Sequence, residues 1–273
     1  MLTGMGQHRY THGHHESVLR SHRWRTAENS AAYLLPRLGP GLDVLDVGCG
    51  PGTITVDLAR RVEPGRVVGV DSSPEVIDVA RTAARDGAVA NVRFSVGDTY
   101  RLDFADRSFD VVHAHQVLQH LADPVRALTE MGRVCRPGGL VAARDGDYRA
   151  FAWYPVDPWL DVWLDIYGQV ARHNGGEPDG GRRLVAWARA AGFSDLAASA
   201  SAWCFSSPDD RLWWGDLWAD RMTESDLGRR AVELGFVGTD ELHEMAAAWR
   251  RWSAHPDGWF AVLHGEILCR RSG

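Results

Sequence analysis

The spacing of apolar positions changes near residue 43. Before it, the stretch ENSAAYLLPRL repeats apolar side chains at helical spacing until Pro36 interrupts it, which predicts a helix that caps the core. From Asp43 onward short β-branched-rich runs take over: VLDV, VVGVD, VRFSVGD, FDVVHA and GLVAARD. Short apolar runs bounded by turns suit strands buried on both faces, the condition of a parallel sheet covered by helices. Between them TITVDLARRV, SPEVIDVARTAARDG and DPVRALTEMGRVCRPGG read as connecting helices, the last ended by its Pro-Gly-Gly stop. The alternation predicts an α/β fold with a doubly wound, mostly parallel sheet, five strands of which are complete by about residue 145.

The second half is less regular. RRLVAWARAAGF predicts a helix, DLAASASAWCFS a sixth strand and WFAVLHGEILCRR a seventh. Two aromatic-rich helical insertions remain, near 151–180 and 208–255, and these are expected to form a lid. Of the 12 tryptophans every one except Trp24 lies beyond residue 150, so the two halves bury surface differently. The expected organisation is one domain over residues 1–273, with an N-terminal cap (1–40), a ligand-binding core (41–150) and a second half of the sheet carrying the insertions (151–273).

Composition narrows the function classes. An apolar share of 45% and a charged share of 24% are those of a folded globular chain. The net charge of −6, with the basic residues scattered, offers no footprint for a phosphate backbone, so nucleic acid is not expected as a partner. The polar, His-rich N-terminus lacks the apolar core of a signal peptide and no stretch reaches membrane-spanning length, so the expectation is a cytoplasmic protein without membrane association. Cys49, Cys135, Cys204 and Cys269 lie far apart without metal-type spacing and are expected to be free thiols. His12, His14 and His15 cluster, yet a His-rich terminus supplies no convergent geometry, and no metal is expected.

The most informative stretch is VLDVGCGPGTITVDLA: a strand ending at Asp46 and Val47, a loop of Gly48, Cys49, Gly50, Pro51 and Gly52, then a helix. Glycines let a ligand approach the backbone and allow the tight turn. The third glycine comes one residue too early for the dinucleotide pattern G-x-G-x-x-G, and no Gly-Lys-Ser/Thr follows, so neither NAD nor a P-loop nucleotide fits. Asp71 ends the second strand, 19 residues after Gly52, where a carboxylate can take both hydroxyls of a ribose; Asp98 ends the next run, where it can accept from an adenine amine. Together with Asp46 these acidic strand tips predict a crevice for a nucleoside-bearing cofactor with a cationic group.

At these residues the sequence resembles class I S-adenosylmethionine (SAM)-dependent methyltransferases, in particular the ubiquinone and menaquinone biosynthesis branch. LDVGCGPG resembles their first motif, VVGVDSSPEVIDVAR the second, GDTYRLDFADRSFDVVHAHQVLQHLADP the third and fourth, and CRPGGLVAARD the entry to the fifth strand. The resemblance implies a Rossmann-like, seven-stranded sheet and S-adenosyl-L-methionine as cofactor. It implies that Gly48, Cys49 and Gly50 lie against the methionine and ribose moieties, with Asp46 and Gly52 framing the loop. Asp71 and Ser72 would hold the ribose diol, Gly97, Asp98 and Thr99 would flank adenine, and His115 and Gln116 would meet the amino-acid part. Tyr10 and Arg25, from the N-terminal stretch, are further candidates for closing over the cofactor.

Methyl transfer from a sulfonium is an in-line displacement that alignment and desolvation can accelerate without covalent catalysis. A positioned base helps when the acceptor is a hydroxyl or an acidic carbon. His115, His120 and Asp145 are the candidates, with Asp147 and Tyr148 beside the last. The excess of tryptophans, among them those at 153, 159, 163, 213, 214 and 218, points to a small aromatic or hydrophobic acceptor, whose reacting atom (O, N, S or C) the residues leave open. Two other functions fit the same motifs: a SAM-binding protein of this fold catalysing a non-methylating reaction such as a cyclisation, and a non-catalytic SAM-binding module.

Overall fold

The computed structural model describes residues 21–273. Its centre is an eight-stranded sheet: β1 (Val44–Val47), β2 (Val67–Asp71), β3 (Val92–Val96), β4 (Phe109–His115), β5 (Cys135–Gly146), β6 (Ala152–Tyr154), β7 (Asp195–Phe205) and β8 (Trp259–Arg270). The first five are parallel in the order β3-β2-β1-β4-β5. β8 runs antiparallel beside β5 and pairs with β7 along its other edge, while β6 meets β8 at Trp259–Ala261, prolonging the β5 side. Because the chain leaves β1 toward β2 on one side and returns as β4 on the other, the connections part above β1, where an open α/β sheet leaves a crevice at the carboxyl ends of its strands.

Seven strands match the sequence-based expectation; β6 is additional and falls inside the expected insertion at 151–180. Three residues are too few for a periodic signal, and β6 exists because β8 offers it an edge. The first helix is shorter than the pattern suggests: α1 covers Ala27–Ser30, closed by a reciprocal Thr26–Asn29 capping box, and Leu35–Arg37 forms only a 3₁₀ turn at Pro36. The Thr53–Val62 helix (α2) and the Pro74–Asp86 helix (α3) fall where expected. The fourth, Pro124–Val134 (α4), ends before the Pro-Gly-Gly, which belongs to β5 instead. Cys135 is already extended there and opposite Phe109, and the residue preceding the next proline avoids the helical region as well.

The insertions are helical: α5 (Pro158–His173), then, past α6 (Leu184–Ala190) and β7, α7 (Pro208–Glu224), α8 (Asp226–Glu233) and α9 (Thr239–Ala254). Apolar side chains on both faces of the parallel sheet are buried, Leu45, Val112 and Val141 against α4, and Val44, Val111 and Ala142 against α1 and α2. A separate aromatic core joins the insertions, with Trp163, Trp218, Trp249 and Trp252 buried around Phe260 of β8. The same strand carries Ile267 and Cys269 into the core of the parallel half, so β8 belongs to both.

Candidate functional site

The glycine loop leaves β1 and turns beneath the end of β2. Gly48 and Cys49 donate backbone N–H bonds to Val70 O, and Gly50 N donates to Asp71 Oδ2 at 3.1 Å. The other oxygen of Asp71 accepts from Ser73 N at 3.1 Å. The acidic tip of β2 is thereby fixed against the loop. Gly48 has φ +67° and a side chain there would collide with Val117 Cγ2, so both the turn and the close approach of the β4 tip require glycine. Above the loop opens a crevice of about 890 Å³, within the range of small-molecule cofactor sites.

Its floor is made by neighbouring strand ends. Asp46, 2% exposed, accepts from Thr55 Oγ1 of α2 at 2.6 Å and lies 2.8 Å from His113 Nδ1, its register partner on β4. Two residues on, His115 lines the crevice; it is 5% exposed, and neither ring nitrogen has a hydrogen-bond partner among the described residues. Burial, then the charges of Arg144 and Arg25, hold its pKa well below the usual imidazole range, so His115 is neutral at pH 7. Arg144, opposite His115 on β5, is buried, pairs with Glu266 of β8 at 3.3 Å and lays its guanidinium over the Trp203 ring. Burial pulls the Arg144 pKa down to about 10, which leaves it charged. Glu266 is further satisfied by the hydroxyls of Ser199 and Ser201 on β7.

A second cavity, of about 20 Å³ and so nearly filled, adjoins the crevice. Trp24, Trp203, Trp213, Trp214, Trp218, Tyr148 and Phe151 wall it, with Ser21, His22, Arg25, Gln116 and Arg221 as its polar members. His22 and Arg25 line both cavities, and Ser21 and Trp24 the second. Thr53 Oγ1 of α2 donates to His22 O, Trp203 Nε1 donates to Asn29 O at 2.6 Å, and Arg25 Nη2 donates to Gln116 Oε1 at 2.7 Å.

The crevice gathers Asp46, Gly48, Cys49, Gly50, Asp71 and Ser72 from the first two strands and their loops. Arg25, Thr99, His115, Gln116 and His120 complete the sequence-predicted part of its lining. His120 is the last residue of a 3₁₀ turn, Leu118–His120, rather than of a longer helix, and burial lowers its pKa to about 3. Four predicted residues stand outside the lining. Gly52 caps α2 at φ +81° with Phe94 and Ala80 against it; Gly97 packs on Val70; Asp98 is exposed and its carboxylate accepts from Tyr100 N. Asp145 is fully buried behind the crevice, where Oδ1 accepts from Gln119 N and burial pushes its pKa up to about 7. Asp147 is held by Arg182. Tyr10 and the His12, His14 and His15 cluster lie outside the described residues; among those described, no His/Cys/Asp/Glu group is arranged to hold a metal.

Of the tryptophans singled out in sequence, 213, 214 and 218 face the second cavity, whereas Trp163 is core and Trp153 and Trp159 pack against it. Sequence reasoning missed His113, Arg144, Trp203 and His264. His113 was within reach, since it shares a strand face with His115; Trp203 and His264 come from distant strands and carry no local signal.

A family model described as a methyltransferase domain matches residues 38–173. An uncharacterized methyltransferase of Schizosaccharomyces pombe is 35% identical over 270 residues, 96% of either chain. A demethylmenaquinone methyltransferase of Lactococcus lactis is 37% identical over 113 residues, 40% of this chain and 45% of that one. Among solved structures, phosphoethanolamine N-methyltransferase 2 of Haemonchus contortus, bound to phosphomonomethylethanolamine and S-adenosylhomocysteine, superimposes with a TM-score of 0.56 at 17% identity. That match covers 89% of this chain and 52% of the other. The full-length relative and the family model agree with the fold: the chain belongs to the methyltransferases, on a Rossmann-like methyltransferase domain.

Proposed function

We propose that the protein transfers the methyl group of SAM to a small, aromatic or otherwise hydrophobic acceptor held in the tryptophan-walled cavity. The observation that carries this reading is the junction of that cavity with the crevice above the glycine loop, at His22, Arg25 and Gln116. SAM supplies an electrophilic methyl on a sulfonium. Asp71, beside the Gly50 amide, is placed to take the ribose hydroxyls, and the backbone of Gly48 to Gly50 to lie along the adenosyl moiety. Thr99 borders the adenine end. The aromatic walls exclude water from the reacting centre, and alignment there replaces much of the work of a chemical catalyst.

His115 is the residue best placed to orient the acceptor. A neutral imidazole with a free lone pair can accept a hydrogen bond from a hydroxyl or amine, while Arg144 and Arg25 make a fully protonated ring costly. Positioning is therefore favoured over proton removal. Trp214 Nε1, buried without a partner among the described residues, suits an oxygen on the acceptor. The net charge of −6 and the aromatic walls support a small molecule rather than nucleic acid, and the sequence reading of a cytoplasmic enzyme goes with it. Among the described residues no helix is long and apolar enough to cross a membrane.

The test is incubation with SAM and a panel of phenols, indoles, thiols and amines, read by mass spectrometry. A product heavier by one methyl, formed together with S-adenosylhomocysteine, supports the reading. Conversion without the added methyl would point to a cyclase-type reaction, and SAM binding without turnover on any acceptor to a binding module. His115→Ala is expected to lower turnover at least tenfold while S-adenosylhomocysteine affinity, measured by calorimetry, changes less than threefold.

A further inference from the structure

Three residues line both cavities: His22, Arg25 and Gln116. Gln116 is the one that the sheet supplies, just past β4, with φ +52° and its N–H bonded to Arg144 O. Its side-chain amide is held from two sides, Oε1 by Arg25 Nη2 and Nε2 by His264 Nε2, each at 2.7 Å. The shape of an amide does not decide which end faces which partner; the partners' chemistry does. His264 Nδ1 lies 3.0 Å from Val262 O, a group that only accepts, so Nδ1 carries the proton and Nε2 presents a lone pair. Burial and the charges of Arg144 and Arg25 hold His264 well below the usual imidazole range, which keeps the ring neutral. Gln116 must then offer its NH₂ to His264 and its oxygen to Arg25.

Arg25 belongs to a stretch of which Ser21, His22, Trp24 and Arg25 wall the tryptophan-lined cavity. Trp24 packs on Trp203, Phe205 and Trp213, and Trp203 Nε1 bonds to Asn29 O. At about 20 Å³ the cavity holds no more than a water molecule, so an aromatic acceptor enters only when a wall moves. The stretch is tied to the fold at Thr53, Asp57, Trp203 and Arg221, and at Arg25 through Gln116 to a buried strand residue.

We propose that His264 controls entry of the acceptor: by orienting Gln116 it latches Arg25, and with it the wall at residues 21–25, across the junction of the two cavities. The acceptor's part in this rests on the methyl-transfer reading above; the latch does not, and its readout is independent of activity. Replacing His264 by Phe keeps a ring but removes the lone pair, so the Gln116 amide loses the partner that sets its orientation. His264→Gln restores an acceptor oxygen near the position of Nε2.

The experiment measures hydrogen exchange and acrylamide quenching of tryptophan fluorescence on the full chain, for H264F, H264Q, Q116L and the double variant H264F/Q116L. Amides of residues 22–25 should exchange at least tenfold faster in H264F and Q116L, with quenching increased, while α1, β5 and β8 amides stay within twofold of the unmodified protein. H264Q should fall within threefold of the unmodified protein, and the double variant should exchange no faster than Q116L. With an acceptor identified by the mass screen, H264F should lower its KM at least tenfold and leave kcat within twofold, because the latched wall leaves no room for the acceptor. The proposal is overturned if residues 22–25 are unaffected, if exchange rises equally through β5 and β8, if H264Q behaves as H264F, or if KM does not fall or kcat changes instead. Failure of the mass screen alone would reject methyl transfer and leave the latch to stand or fall on exchange.

Discussion

Replacing Asp145 by Asn should remove one component of the protein's pH dependence and favour the native state at alkaline pH. The carboxyl is fully buried, accepts from Gln119 N through Oδ1, and has no partner for Oδ2 among the described residues. Burial raises its pKa from 3.8 to about 7. Between those values the native protein retains a proton that the unfolded chain has released, so stability falls as pH rises through that window and the loss is complete above pH 7. The whole shift corresponds to on the order of 4 kcal/mol, of which roughly 1.4 kcal/mol falls between pH 6 and pH 8. Asn keeps the oxygen that Gln119 N needs and cannot ionise. Any fixed cost of its extra N–H group is the same at each pH and cancels in the comparison. Urea unfolding of both proteins at pH 6, 7 and 8 measures the difference: the stability of the variant relative to the unmodified protein should grow by about 1.4 kcal/mol across the range. Parallel pH profiles, or a variant that loses ground as pH rises, would refute an Asp145 that ionises near neutrality.

Three further outcomes follow from the same geometry. Asp71→Ala is expected to weaken S-adenosylhomocysteine binding at least tenfold in calorimetry and leave the far-ultraviolet circular dichroism unchanged, since Asp71 faces the crevice and, among the described residues, holds the amides of Gly50 and Ser73. Gly48→Ala should also lose cofactor affinity, because positive φ and the collision with Val117 together displace the turn; native-like binding would show that the turn tolerates a side chain. Arg144→Met should cost about 3–5 kcal/mol in urea unfolding by stranding Glu266, and the double variant R144M/E266M should cost less than the single one.

Most of the parallel half of the fold was legible in the sequence. Strands buried on both faces leave uninterrupted β-branched runs, and the glycine turn with Asp71 behind it is written in consecutive residues, so β1 to β5 and one wall of the crevice could be placed without coordinates. Local pattern also located His115, because a strand tip beside the turn faces the same crevice. It misled where a neighbouring strand sets the conformation: the Pro-Gly-Gly that looks like a helix stop lies within β5, and β6 forms only because β8 provides an edge.

What the amino-acid order alone determined is therefore the chain's local alternation of elements and the turn that would carry the cofactor. The acceptor side was decided by tertiary structure. Trp24, Trp203, Trp213 and Trp218 meet only after β7 and β8 come together and residues 21–31 cross them, and His264 reaches Gln116 across 148 positions of sequence. The physical reason is range. A helix or strand records its buried face in periods of a few residues, whereas a cavity wall is assembled from side chains whose spacing in sequence bears no relation to their distance in space.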